Sequence, residues 1–217
     1  MINEENMYEE RIAELKGSNG DKWCWLRQDT GAWEGPLKDW NTSHYEKYVE
    51  PIEQKNVVVT AGGNMGLYTR AYSTLFKRVY VFEPDHINFH ALVRNNLAHN
   101  VFFFRAALGA TSGWCTIDPS NDIENAGMHK VTERHGGIIP VMTIDSLNLP
   151  ECNLIQLDTE GYEPQIISGA LNTIEEHSPV VVTEGNNADI TKMLGSMGYQ
   201  MTGASKADFI YRRVQNA

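Results

Sequence analysis

The spacing of hydrophobic positions changes near residue 57, and the chain reads differently on either side. Before it, Tyr8, Ile12 and Leu15 recur at helical spacing, which predicts a short amphipathic helix over Met7–Leu15 closed by Gly17. Trp23-Cys24-Trp25-Leu26, Asp29-Thr30-Gly31 and Trp33 alternate about a glycine-containing turn, the signature of a β-hairpin. Residues 41–54 return to a helix from near Thr42 or Ser43.

After residue 57, short apolar runs alternate with amphipathic ones. Val57–Ala61 predicts a strand, Met65–Phe76 a helix, Arg78–Glu83 a strand, and Ile87–Leu97 a helix with Phe89, Leu92 and Val93 inward. Strands follow at Val101–Ala107, Trp114–Ile117 and Ile138–Ile144, the last two separated by a polar loop. Asn153–Asp158 is a further strand, with Pro164 in the first turn of the next helix. The chain finishes with strand Val180–Glu184, helix Ala188–Met197, and strands Tyr199–Gly203 and Phe209–Arg213. Apolar strands between helices imply an α/β fold, a doubly wound, mostly parallel sheet covered on both faces. The last two strands share too short a link for a parallel crossover, so an antiparallel C-terminal edge strand is expected. On this reading residues 1–55 are a helix/hairpin extension capping a core formed by 56–217.

Composition narrows the function classes. At 217 residues and 41% hydrophobic, the chain suits one well-buried domain. No apolar run approaches the roughly 18–20 residues of a membrane span, and the acidic MINEENMYEERIAELK start has no signal-peptide core. Cys24, Cys115 and Cys152 lack CxxC spacing, which argues against disulfides and thiolate zinc and for a cytoplasmic setting. A net charge of −10 repels a phosphate backbone, so neither nucleic acid nor membrane is an expected partner.

The candidate chemistry centres on Gly62-Gly63-Asn64-Met65-Gly66, directly after the first strand of the alternating region. Glycines there allow a tight turn and close approach of a ligand to the backbone. Glu83 ends the next strand, about 20 residues on, where a carboxylate can bridge ribose hydroxyls. Read from Ala61 the loop is a damaged dinucleotide fingerprint; read from Thr60 it approaches the D-x-G-x-G-x-G spacing of methyltransferases. The loop alone leaves a nicotinamide-dependent oxidoreductase open. His86 and His90 share a helix face without a third ligand, so no metal is expected. His129 is a loop histidine that could border a substrate. Trp23, Trp25 and Trp33 read as the apolar underside of the hairpin in preference to a stacking wall.

The C-terminal half separates the two ligands. Asn153–Gly169, NLIQLDTEGYEPQIISG, follows Phe82-Glu83-Pro84, Asn95-Asn96, Ala107-Leu108-Gly109 and Thr143–Leu147, and precedes Gly169-Ala170 and Pro179–Glu184. This ordered series resembles the FkbM-type S-adenosylmethionine-dependent methyltransferases over residues 57–184. The resemblance implies a seven-stranded sheet of the class I methyltransferase (Rossmann-like) type and a bound S-adenosylmethionine. It also implies O-methylation of a hydroxyl on a small molecule or glycan. Cofactor contacts fall on Thr60, Gly62, Gly63, Asn64, Met65, Gly66 and Glu83. Ala107 and Leu108 would lie by the adenine and Asp158 by the methyl group. Asp158 and Glu160 are the catalytic candidates, Glu160 as general base. Glu163 and Asp145 read as helix caps, and Glu184 as a strand-end carboxylate facing the same cleft. Two positions depart from the pattern: Thr60 stands where the family has an acid, and Gln156 where it has a lysine. The first departure keeps a third reading open, a cofactor-binding protein without turnover. An amino-methylating nucleic-acid enzyme would need an Asp/Asn-Pro-Pro-aromatic motif, and residues 158–161 do not supply one.

Overall fold

In a computed structural model, the structure describes residues 8, 10–17, 20–29, 43–118, 130–133, 136–205 and 207–214. The first described elements are strands β1 (Ile12–Lys16) and β2 (Lys22–Leu26), an antiparallel hairpin. Between the two strands the Gly17 N–H donates to the Asp21 carbonyl at 2.8 Å. The expected helix therefore stops short: residues 8, 10 and 11 are helical, but the chain is extended from Ile12. Ile12 and Leu15 fit both a helix face and a strand, and pairing with the apolar Trp23–Leu26 run decides between them. The hairpin lies one strand earlier than its turn signal suggested, and Thr30, Gly31 and Trp33 fall outside the described residues.

Helix α1 (Ser43–Val49) precedes β3 (Val57–Ala61), α2 (Leu67–Leu75), β4 (Arg78–Phe82), α3 (His86–Asn95) and β5 (Val101–Phe104). After β10 (Leu154–Leu157) come α4 (Glu163–Ser168), α5 (Leu171–His177), β11 (Val180–Glu184), α6 (Ala188–Ser196), β12 (Tyr199–Ser205) and β13 (Asp208–Arg213). The main sheet has seven strands in the order β12-β13-β11-β10-β3-β4-β5. It is mixed. Strands β11, β10, β3, β4 and β5 are mutually parallel, while β13 runs antiparallel to both β11 and β12. The expected antiparallel edge strand is thus corrected: the reversed strand, β13, is inserted one position in, and β12 forms the edge. A short β12–β13 connection permits this only as a hairpin.

Strand alternation sorts the core onto two faces. One face carries Val59, Ile155, Leu157 and Val181 against Ile166, Ile174, Ile190 and Leu194 of α4, α5 and α6. The other carries Val58, Val81, Leu154 and Val182 against Tyr48 of α1, Tyr72 of α2 and Leu92 of α3. On α3 the inward side is Ile87, Asn88, Ala91, Leu92 and Asn95; the expected Phe89 and Val93 are only half-buried.

A second, four-stranded sheet, β6-β9-β7-β8, sits beside the first. It comprises β6 (Ala107–Leu108), β7 (Gly113–Asp118), β8 (Lys130–Glu133) and β9 (Ile139–Met142). Strand β8 lies in the stretch read as a polar loop; His129, beside it, is outside the described residues. Among the described residues no helix is long and apolar enough to cross a membrane.

Candidate active site

Four parallel strands end at one cleft of about 260 Å³. There β3 passes into the glycine loop, β4 into Glu83, β10 into Asp158, and β11 closes on Glu184. Ligands of open α/β sheets bind at such carboxyl ends. Gly62 has φ +79°, and a Cβ there would collide with the Asp158 carbonyl, so the loop rests directly on the end of β10. Gly66, at φ +91°, opens α2 with no room for a side chain beside Asn96. Gly63 and Met65 complete the loop, and all five positions line the cleft.

Glu83 clamps this loop. Its Oε2 accepts from the Asn64 N–H at 2.7 Å and its Oε1 from the Asp85 N–H at 2.9 Å. Asp85 in turn caps α3 by accepting from the N–H groups of Ile87 and Asn88. An ionised carboxyl has about four acceptor positions, so Glu83 can hold the backbone and still meet ligand hydroxyls. Asn64 does not cap α2. Its side-chain oxygen is buried with no hydrogen-bond partner, at the cleft wall. A bound amine or hydroxyl would satisfy that acceptor.

Thr60 stands back from the cleft. It is 1% exposed, absent from the cleft wall, and its hydroxyl donates to Gln156 Oε1. Thr60 and Gln156 are cross-strand partners in the β3–β10 register, so the two departures from the family pattern meet as one buried neutral pair. Ala107 and Leu108 also stand off the main cleft. They line a small adjoining pocket that shares Gly62, Pro84 and Thr159 with it.

Past β10 the chain makes a strained turn, with Glu160 at φ +55° and Gly161 at φ +95°. Glu163 holds that turn rather than capping α4: its Oε1 accepts from the Thr159 N–H at 2.8 Å, the Thr159 hydroxyl at 2.9 Å and the Gly161 N–H at 3.3 Å. Asp145 does cap a helix, though a distant one, accepting from the Asn172 and Thr173 N–H groups of α5. The turn presents Glu160 to Asp158 and Glu184, whose carboxylate oxygens lie within 4.8 Å of one another. Burial lifts the Asp158 carboxyl well above the usual carboxylate range; the neighbouring charge of Glu184, and then Asp208 and Glu160, push it further. Three oxygen ligands at this separation are also close enough to share one cation. The histidine pair takes no part: His90 stacks on Tyr8 at 4.0 Å between ring centroids, with His86 edge-on to the same ring.

The N-terminal hairpin contributes to this wall. Trp25 lines the cleft, its Nε1 donating to Asp29 at 3.1 Å, while Trp23 lies beneath the Arg70 guanidinium, 3.6 Å from its ring centroid. Asn95 fastens the hairpin, accepting from the Cys24 N–H at 2.6 Å and donating to the Cys24 and Met65 carbonyls at 2.8 and 2.7 Å. Tyr68, Asn88, Thr159, Ile117 and Val131 also line the cleft and went unread in the sequence. Tyr68 sits two residues past the glycine loop, and Thr159 lies within the Asn153–Gly169 series. Ile117 and Val131 come from the second sheet, and nothing local connects them to the site.

A family model for the methyltransferase FkbM domain matches residues 61–201. The chain is 28% identical over 180 residues to the hexuronic acid methyltransferase AglP of Haloferax volcanii, an overlap of 77% of this chain and 74% of that protein. Two solved structures share the fold. One is the FkbM methyltransferase of Methylobacillus flagellatus KT (TM-score 0.51, 18% identity, 73% of this chain and 43% of that one). The other is the ribosomal protein L11 methylase of Lactobacillus delbrueckii subsp. bulgaricus (TM-score 0.52, 12% identity, 82% and 80%). With a family match across most of its length, a glycine loop and Glu83 at one cleft, and the Asp158–Glu163 turn beside them, the chain belongs to the FkbM methyltransferase family.

Proposed function

We propose that this chain transfers the methyl group of S-adenosylmethionine to a hydroxyl of a small molecule or glycan, with residues 56–217 as the methyltransferase domain and 1–55 as an extension that caps it. The observation that carries the reading is the convergence of the Gly62–Gly66 loop, Glu83 and Asp158 on one cleft. The cofactor supplies an electrophilic methyl; the protein must bind, orient and deprotonate. In this reading Gly62, Gly63, Asn64, Met65 and Gly66 hold the methionine and ribose, Glu83 accepts from the ribose hydroxyls, and Ala107 and Leu108 border the adenine. The unpartnered Asn64 oxygen supports a ligand donor there. Asp158 and Glu160 face the acceptor. The sugar named for AglP supports a glycan-related acceptor, and three buried cysteines outside any disulfide support a cytoplasmic setting.

Calorimetry with S-adenosylmethionine, S-adenosylhomocysteine and NAD tests the cofactor. Binding of the first two without the third is expected; binding of NAD alone overturns the reading in favour of an oxidoreductase. Cofactor binding with no transfer to any of a broad panel of neutral and acidic glycans would favour a protein without turnover.

A further inference from the structure

Two carboxyl groups that face each other across parallel strands do more than solvate a sheet end. Leu157 and Thr183 are register partners in β10 and β11, so the next residues, Asp158 and Glu184, stand side by side at the cleft. Their carboxylate oxygens lie within 4.8 Å of one another. Two ionised carboxylates this close only accept and repel each other, whereas a proton held between them gives one a donor for the other. We propose that Asp158 and Glu184 act as one proton-accepting pair for the acceptor hydroxyl, which makes Glu184 a further catalytic residue. This rests on the methyltransferase reading above.

The surroundings explain why the pair keeps its proton. Glu160 faces it from the strained turn, and Asp208, buried in β13, is the register partner of Glu184. From the helices come Tyr48 and Tyr72, whose hydroxyls lie 3.2 Å apart, with Tyr45 and Tyr68 beside them. Beneath Asp158 on the same sheet face, about 6.6 Å along the strand, is the neutral Thr60–Gln156 pair. Every one of these groups is anionic or neutral. Two full negative charges side by side are therefore unfavourable, and the pair settles at one, as coupled carboxyls do.

A singly protonated pair can take one more proton. As the acceptor oxygen forms the new C–O bond and the C–S bond breaks, its electron pair remaining on sulfur, the hydroxyl proton passes to the pair and later to water. A carboxylate acceptor would arrive already ionised and would not need this step. The pair thus has a use only if a hydroxyl is methylated.

The test compares the wild type with Glu184→Gln and Glu184→Asp. Carbon-13 NMR of labelled carboxyls should show one proton retained on Asp158 and Glu184 near neutral pH, and a changed Asp158 titration in Glu184→Gln. Calorimetry should give an S-adenosylhomocysteine affinity for Glu184→Gln within about twofold of wild type. With a hydroxyl acceptor, kcat should fall on the order of 10²–10⁴-fold with KM nearly unchanged, and Glu184→Asp should recover part of the rate. Full ionisation of both carboxyls at pH 7 overturns the proposal, as does a Glu184→Gln kcat within threefold of wild type. It is also overturned by transfer to a uronate carboxylate that is indifferent to Glu184→Gln, or by Mg²⁺ binding that is lost in Glu184→Gln and required for turnover, which would make the cluster a metal site. Failure of the wild type to bind S-adenosylhomocysteine would sink the cofactor reading instead, and the NMR titration would still decide the pair.

Discussion

The Thr60–Gln156 contact permits a stability experiment whose sign depends on the two residues acting as a unit. Thr60→Val removes the hydroxyl with little change of shape and leaves Gln156, 1% exposed, with its oxygen unpaired. The Gln156 Nε2 already has no hydrogen-bond partner, so the whole amide would then be buried unsatisfied. A buried polar group stripped of its partner costs about 1–3 kcal/mol. In a chain of this length that lowers Tm by roughly 2–12 °C. Gln156→Met removes the other partner and strands the Thr60 hydroxyl; it also removes the unpaired Nε2, so its cost should fall at the lower end of the same range. The double variant replaces both partners with apolar groups of similar size and should lie close to wild type. A double-mutant cycle from urea unfolding, read at constant m-value, is the assay. The expected coupling is the sum of the two single losses, about 2–4 kcal/mol in favour of the double. Because neither side chain lines the cleft, affinity for S-adenosylmethionine should change less than twofold. Additive losses would refute the pairing, and a tenfold loss of affinity in Thr60→Val would return position 60 to the cofactor site.

Further expectations follow from the same geometry. Glu83→Ala should weaken S-adenosylmethionine binding by about 1–3 kcal/mol through lost charge-assisted hydrogen bonds, measured by calorimetry; unchanged affinity would move the ribose contact elsewhere. Asn95→Leu strands the Cys24 N–H and the carbonyls of Cys24 and Met65. It should cost about 2–4 kcal/mol at roughly 1 kcal/mol or more per bond. Hydrogen exchange should then show β2 opening ahead of the main sheet, and unaltered protection of residues 22–26 would contradict the docking role. The raised Asp158 carboxyl means that the native state holds a proton the unfolded chain has released above about pH 4. Stability should therefore decline as pH rises through that range, until the native pair itself ionises. Asp158→Asn should flatten this slope and raise Tm near neutral pH; a steeper fall in the variant would show that other groups govern it.

Much of this architecture was legible without coordinates. Strands Val57–Ala61, Arg78–Phe82 and Val180–Glu184 are each built on a run of apolar residues because both sheet faces are covered, and that burial leaves a clear pattern. The loop and Glu83 were legible because backbone clearance and strand ends impose residue types at fixed spacing. The N-terminal segment was misread where the local signal was weak: Ile12 and Leu15 satisfy either periodicity, and only the β2 strand selects one. Strand β8 was missed because its four residues carry almost no pattern of their own.

Sequence by itself determined the α/β class, the family and the position of the glycine loop, since each is written in contiguous or regularly spaced residues. Tertiary structure alone decided what those residues face. It brought Thr60 against Gln156, 96 positions away, and drew position 60 off the cleft. It set Glu184 beside Asp158 and brought Trp25, Ile117 and Val131 to the same wall. Strand register and the docking of one layer on another fix such neighbours, and neither is encoded within any local window of the chain.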